Sequence, residues 1–236
     1  MNLKKLILTV CFSFLAFIGF SQTKTITLFD GKTLNGWEGD TRYWRAENGE
    51  IIGEITPETI IKTNSFLIWK GKAPKNFDLS VDYKISARGN SGVNYRSTRI
   101  DSLPFALKGY QADIDGKDKY NLGYPRHTGQ NYEERGRQFL ATRGQRTLIE
   151  TGKAPLFIDS TGTRSKLLQH IHYDGWNTLR IIAKGNVLQH YINGMLMSEV
   201  TDKDEMNSRV DGLIGIQVHV GPPMTIEYKN FVLKEL

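Results

Sequence analysis

Between Asn90 and Arg137 the chain places amides, carboxylates and guanidiniums at alternate positions of strand-like segments: N-S-G-V-N-Y-R-S, G-Y-Q-A-D-I-D-G and G-Q-N-Y-E-E-R-G-R. Successive side chains of a strand point to opposite faces. Asn94 and Arg96 therefore share a face. So do Gln111, Asp113 and Asp115, with Tyr110, Ala112 and Ile114 turned away. A later segment, L-I-G-I-Q-V-H-V-G, has the same design: Ile214, Ile216, Val218 and Val220 form an apolar face and leave Gln217 and His219 together on the other. Carboxylates and imidazoles can move protons near neutral pH, while amides and guanidiniums hold oxygen-rich groups. Such a face reads as the floor of a site for a hydroxyl-rich ligand. The plainer alternative is a solvated sheet face carrying a few ion pairs.

The candidate proton-transfer groups are Asp113, Asp115, Glu133, Glu134, His190 and His219, and the candidate ligand-holding groups are Asn94, Arg96, Gln111, Arg135 and Gln217. An interior histidine bonded to a turn fits the surroundings of His190 equally well. His170 and His172 are two residues apart and would share one strand face, a spacing that can ligate a metal, but no third ligand accompanies them. D-I-D-G at Asp113–Gly116 could offer oxygen ligands to Ca2+ while falling well short of a full calcium loop. No organic cofactor is implied, and a divalent metal such as Ca2+ is the one left open. His127 lies in a Gly/Pro-bounded loop. Trp37, in N-G-W-E-G, is a sugar-stacking or lid candidate, whereas Trp44, Trp69 and Trp176 read as packing residues.

The elements that must position these groups are strands. Short β-branched or aromatic runs bounded by Gly, Asn, Asp and Pro mark 25–29, 50–55, 65–69, 77–85, 92–97, 108–115, 177–183, 187–192, 213–220 and 226–233. K-G-N links two of them as a hairpin, I-N-G marks the next turn, and helical periodicity is nearly absent. The expected fold is all-β, an antiparallel two-sheet sandwich or jelly roll.

The N-terminus reads differently. M-N-L-K-K precedes an apolar run from Leu6 to Phe20 and then S-Q-T-K, the pattern of a secretory signal peptide spanning 1–21 with cleavage after Ser21. The run is short for a membrane span, so no stable membrane anchor is expected. Export to the periplasm or cell exterior follows, with residues 22–236 forming one domain. Cys11 is the only cysteine, which leaves the mature chain without disulfides or thiolate chemistry. Loss of Lys4 and Lys5 lowers the formal net charge of +6 by two, and the remaining cations are scattered among acids, so no nucleic-acid partner is indicated.

Six motifs, in order, carry a resemblance. They are L-F-D-G-K-T-L-N-G-W, W-R-A-E-N-G-E-I-I-G, G-N-S-G-V-N-Y-R-S, G-Y-Q-A-D-I-D-G, W-N-T-L-R-I-I-A-K-G-N-V-L-Q-H-Y-I-N-G and G-L-I-G-I-Q-V-H-V-G-P-P-M. The set resembles the 3-keto-disaccharide hydrolase domain family of exported bacterial proteins. The resemblance implies a concanavalin A-like jelly roll and a carbohydrate substrate oxidised to a ketone at C3. A base would remove the acidified C2 proton, the enolate would expel the C1 substituent, and water would add. Under that chemistry Asp113 or His219 is the base and Glu133 its acid/base partner. Arg96, Gln111, Asn94, Arg135, Gln217, His190 and Asp115 would position substrate. G-Q-N-Y-E-E-R-G-R departs from the family pattern and is where specificity should be set. Two other readings stay open: a conventional glycoside hydrolase built on Asp113 and Asp115, and a non-catalytic carbohydrate-binding module. The sequence does not specify an oligomeric state.

Overall fold

A computed structural model describes residues 24–236, so the expected signal segment and Cys11 lie outside the described residues. In chain order the strands are β1 (Thr25–Thr27), β2 (Trp37–Glu38), β3 (Trp44–Glu47), β4 (Glu50–Ile55), β5 (Ser65–Trp69), β6 (Phe77–Ile85), β7 (Asn90–Arg99), β8 (Leu107–Asp115) and β9 (Asn131–Glu134). They continue with β10 (Gln138–Ala141), β11 (Gln145–Glu150), β12 (Leu156–Ser160), β13 (Asn177–Lys184), β14 (Val187–Ile192), β15 (Met195–Lys203), β16 (Leu213–Val218) and β17 (Met224–Glu235). Among the described residues a 3-10 turn at Pro57–Thr59 follows β4 and a short helix, α1 (Arg164–Leu168), follows β12.

These strands form two sheets. One runs β12-β11-β15-β14-β13-β6-β17-β4-β3, with β1 also on β17; the other runs β10-β9-β8-β7-β16-β5-β2. Pairing is antiparallel except between β11 and β15. The expected two-sheet all-β jelly roll is what the chain adopts. His170 and His172 fall in the turn after α1 rather than on a strand, and the backbone N–H and Nδ1 of His172 are used locally, on Asn177 and the Trp176 carbonyl.

Alternation builds the core. Leu79, Val81, Leu179 and Ile181 from the larger sheet are fully buried with Tyr110, Ala112, Ile114, Ile214 and Ile216 from the smaller one. Burial of side chains of this size stabilises by about 1.5–3 kcal/mol each. Trp37 belongs to this packing. Its indole N–H donates to the Leu28 carbonyl (2.8 Å) and its ring lies 5.4 Å from that of Phe231, so it is no sugar platform.

The two sheets differ in how their outer faces are treated. Along β13 burial alternates strictly, core-facing residues buried and the others open, whereas β8 is buried on both faces from Gly109 to Asp115. What covers β8 is the 116–130 loop, which returns to start β9. Asp115 holds that loop in place. Its carboxylate accepts from the backbone N–H of Arg126 (2.9 Å), His127 (2.9 Å) and Thr128 (2.8 Å), and from the Thr128 hydroxyl (2.7 Å).

Candidate active site

A cavity of about 310 Å³ opens on the outer face of β8 and β9, within the size range of small-molecule sites. Its walls include Asn64, Asn90, Gln111, Asp113, Gln130, Glu134, Arg135 and His219, together with the aromatic rings of Tyr120, His127, Tyr132 and Phe139. Sheet register explains the floor. Asn90 pairs with Asp115, Gly92 with Asp113 and Asn94 with Gln111, while Tyr132 of β9 pairs with Gln111. These positions therefore share one face. Gly92 is required there, because a Cβ would stand 2.6 Å from the Gln111 side chain that crosses it.

Asp113 is the central group. It is 8% exposed, and its two oxygens accept from Gln111 Nε2 (2.6 Å) and Gln130 Nε2 (2.5 Å). Burial raises its pKa to about 7; the two amide hydrogen bonds oppose the shift, and the nearby charges of Asp115 and Glu134 add to it. Glu134, 6% exposed, is likewise pushed above the usual carboxylate range by burial, against the opposing hydrogen bond from Asn64, the Arg135 charge and the Gln217 amide. Asn64 Nδ2 (3.1 Å) and Arg135 Nη1 (2.9 Å) donate to one Glu134 oxygen and Gln217 Nε2 (3.4 Å) to the other. His219 Nδ1 donates to the Val220 carbonyl, which fixes Nε2 as the acceptor nitrogen. Burial, with a smaller push from Lys119, holds this imidazole below its usual pKa and so neutral at pH 7.

Five groups expected to meet at the site thus line one cavity: Asp113, His219, Gln111, Arg135 and Glu134. Gln217 and Asn94 lie fully buried at the same face without lining the cavity, Gln217 donating to Glu134. Asp115 is occupied by the loop it holds.

Three expectations are corrected. Glu133 faces the other way. It pairs with Tyr110 across the sheet, on the core side, and its carboxylate takes Arg137 Nε (2.6 Å), while the same guanidinium reaches Asp202 (2.7 Å) and Asp204 (3.2 Å). Glu134, one residue on, is the cavity carboxylate. Arg96 leaves the face because β7 bulges between Tyr95 and Thr98, with Arg96 at φ 46°. Its guanidinium is buried and donates to the carbonyls of Gly185, Arg209 and Lys75. Gly109 faces the bulge from β8, where a Cβ would meet Ser97 Oγ at 2.4 Å. His190 is a core residue. Its Nδ1 donates to the Gln130 carbonyl (3.0 Å), its Nε2 accepts from the Tyr95 hydroxyl (2.8 Å), and burial lowers its pKa to about 4. It acts on the site only by supporting Gln130.

The cavity also contains residues not singled out from the sequence. Gln130, Tyr120 and Tyr132 come from the covering loop and β9, and Phe139 from β10. Phe139 is 49% exposed, and its ring stacks on His127 with centroids 5.7 Å apart and 24° between planes. A half-open aromatic ring beside buried amides suits an amphipathic ring such as a sugar. The Asp115 carboxylate of the D-I-D-G segment is engaged by four donors of the covering loop, and among the described residues no cluster of three or more His, Cys, Asp or Glu is arranged to hold a metal.

Comparison with known proteins bears on this geometry. The chain is 37% identical over 100 residues to a 3-keto-disaccharide hydrolase of Bacteroides thetaiotaomicron, an alignment spanning 39% of this chain and 31% of that protein. Among solved structures, a Parabacteroides distasonis protein provisionally classed as a glycosyl hydrolase superposes with TM-score 0.57 at 19% identity, covering 90% of this chain and 94% of the other. The carbohydrate-binding module CBM66 of Bacillus subtilis gives TM-score 0.51 at 18% identity, over 83% and 93% of the two chains. These likenesses show a shared fold. The sequence profile of the 3-keto-alpha-glucoside-1,2-lyase-like domain matches residues 24–234, nearly everything described above. The chain belongs to that family.

Proposed function

We propose that the cavity binds a sugar oxidised at C3 and that the chain cleaves its glycosidic bond by elimination followed by hydration. The observation that carries this reading is Asp113, a carboxylate on the cavity floor whose pKa of about 7 lies near neutrality. A general base is most effective near its own pKa. Both Asp113 oxygens already accept an amide hydrogen bond, which fixes the carboxylate plane while leaving lone pairs for a C–H proton.

A ketone at C3 acidifies the C2 proton. Asp113 takes that proton, and the electron pair moves to the C3 oxygen as an enolate. Asn64 and Asn90 are the cavity amide donors suited to hold that oxygen, while Arg135, whose Nη groups are spent on Leu107, Glu134, Thr63 and Asn64, adds its charge. Collapse of the enolate breaks the C1–O bond, and Glu134, the second cavity carboxyl, whose pKa burial raises, gives a proton to the departing oxygen. Water then adds its hydroxyl to C1 and gives its proton to Glu134, while Asp113 returns the proton to C2; His219, on the same cavity wall, assists the attacking water. Net hydrolysis results. We place the reaction outside the cytoplasm, on the strength of the basic N-terminus and the apolar run from Leu6 to Phe20.

A conventional glycosidase built on Asp113 and Asp115 is disfavoured, because Asp115 spends its oxygens on the covering loop. The deciding experiment incubates the purified protein with a 3-keto-disaccharide and with its unoxidised parent, following products by mass. The expected result is cleavage of the ketone alone. Cleavage of the parent would establish the glycosidase reading, and binding without cleavage of either would establish a binding module.

A further inference from the structure

A second cavity of about 220 Å³ adjoins the first and shares His127, Gln130 and Phe139 with it; its remaining walls are Arg126, Thr142 and Arg164. No carboxylate lines it. The guanidiniums of the protein divide into two groups. Arg137, Arg146 and Arg180 each hold carboxylates. Arg164 instead donates to the Arg126 carbonyl (3.0 Å), and Arg126 lies over the Tyr120 ring at 5.5 Å. Against the 116–130 loop Arg143, 5% exposed, donates to the carbonyls of Thr128 (2.8 Å) and Pro125 (3.0 Å), and its buried Nε has no partner.

Around this loop Arg126 and Arg164 are exposed cations on the cavity wall with no carboxylate partner among the described residues, while Arg143 is buried and lies outside the cavity lining. Asp115, the carboxylate of this region, is already occupied by four donors. Burial pushes the Arg143 guanidinium down to about 10; the Arg164 charge adds to that push and the Asp115 charge opposes it. Arg126 and Arg164 are the two guanidiniums that reach the cavity, and an anion bound there would pair with both. Guanidinium forks match the paired oxygens of carboxylate and sulfate.

We propose that this second cavity is a subsite for an anionic substituent, a carboxylate or a sulfate ester, on the sugar or aglycone attached to the keto sugar. The inference rests on the reading of the main cavity as a keto-sugar site and adds the substrate class. The shared wall of His127 and Phe139 would then separate the reacting ring from the charged neighbour.

The test compares three 3-keto-disaccharides whose second sugar is glucose, a uronate or a 6-sulfated glucose, with the full protein and its R126A/R164A double variant. The expected result is a kcat/KM at least about tenfold higher for one or both acidic substrates, as a charge-assisted pair provides. That preference should shrink with added salt and fall below about threefold in the double variant. Which acid is preferred separates carboxylate from sulfate. Equal rates for all three substrates, or a preference that survives in the double variant, would overturn the proposal. Calorimetry with D-glucuronate and glucose 6-sulfate against glucose reads the subsite without turnover. Acid binding lost in the double variant would support the subsite even if no ketone were cleaved, and acids binding no better than glucose would reject it.

Discussion

On the outer face of β13 and β6, Arg180 holds Asp78 (2.7 Å) and Thr178 holds Asp82 (2.6 Å), with the Arg180 side chain 46% exposed. On the outer face of β8, Gln111 and Gln130 hold an almost fully buried Asp113. Both faces come from the same period-two pattern. In the first, water completes each polar group. In the second, the 116–130 loop and β10 exclude it, and Asn94 Oδ1, Gln111 Oε1 and Gln217 Oε1 are left buried with no protein partner. Each such atom carries a desolvation cost of about 1–3 kcal/mol. Alternation makes a polar face; cover and incomplete pairing make it a site.

The contrast breaks most visibly at Asp113. Replacing it by asparagine should lower kcat/KM on a 3-keto-disaccharide about a thousandfold, the scale of a lost general base. Folding should survive, because the unpartnered Gln111 Oε1 can turn to accept from the new amide. An intact melting transition with lost turnover is the expected pair of readings. A variant that retains rate within a few-fold would remove Asp113 from the mechanism.

The next largest effects separate two consecutive glutamates. Glu134→Gln should cost about 10–100-fold in kcat through loss of the cavity acid, with little change in Tm. Glu133→Gln should leave kcat near wild type and lower stability, since it removes one member of the Arg137 network. Arg137→Met sharpens the point by leaving Glu133, Asp202 and Asp204 buried without their cation, a loss of about 3–5 kcal/mol in chemical denaturation. Equal kinetic effects of the two glutamates would erase the distinction between the two sides of β9.

Stability against pH gives a smaller but signed effect. The Asp113 carboxyl ionises at about 7 when folded, against 3.8 for an unburied aspartate. Between those values the folded chain binds the extra proton, so this group favours folding at low pH and that contribution is lost as pH rises to about 7. Asp113→Asn should remove the decline, and the variant should melt above wild type at pH 8 with the gap closing near pH 4. At the bottom of the scale, Arg180→Ala should cost no more than about 1 kcal/mol and leave activity unchanged, as a solvated pair allows.

How far the sequence led depended on whether alternation held. Gln111, Asp113, Gln217 and His219 were legible because β8 and β16 alternate cleanly with apolar partners. Arg96 was not, since a bulge has no period of its own. Glu133 and Glu134 were indistinguishable because N-Y-E-E offers no aliphatic residue to set the phase, and Asn131 itself points to the core, where it meets the Tyr95 hydroxyl. His190 could have been placed: it alternates in phase with Leu188 and Ile192, both fully buried. Tyr120, His127 and Gln130 act from a loop without regular structure, positioned by hydrogen bonds to Asp115 and Asp113 that no periodicity announces. Several shorter strands, β9 to β12 among them, were also missed. In β12 every residue is exposed, so no buried face marks it.

The most direct measurement follows exchange of the C2 proton of a 3-keto-glycoside with deuterated solvent, by wild type and Asp113→Asn, from pH 5 to 9. It reads the proton step whether or not the glycosidic bond breaks. The account predicts exchange by the wild type that rises with an apparent pKa near 7 and falls about a thousandfold in the variant. Exchange that persists in Asp113→Asn, or that vanishes only in His219→Ala, would contradict the assignment of Asp113 as the base.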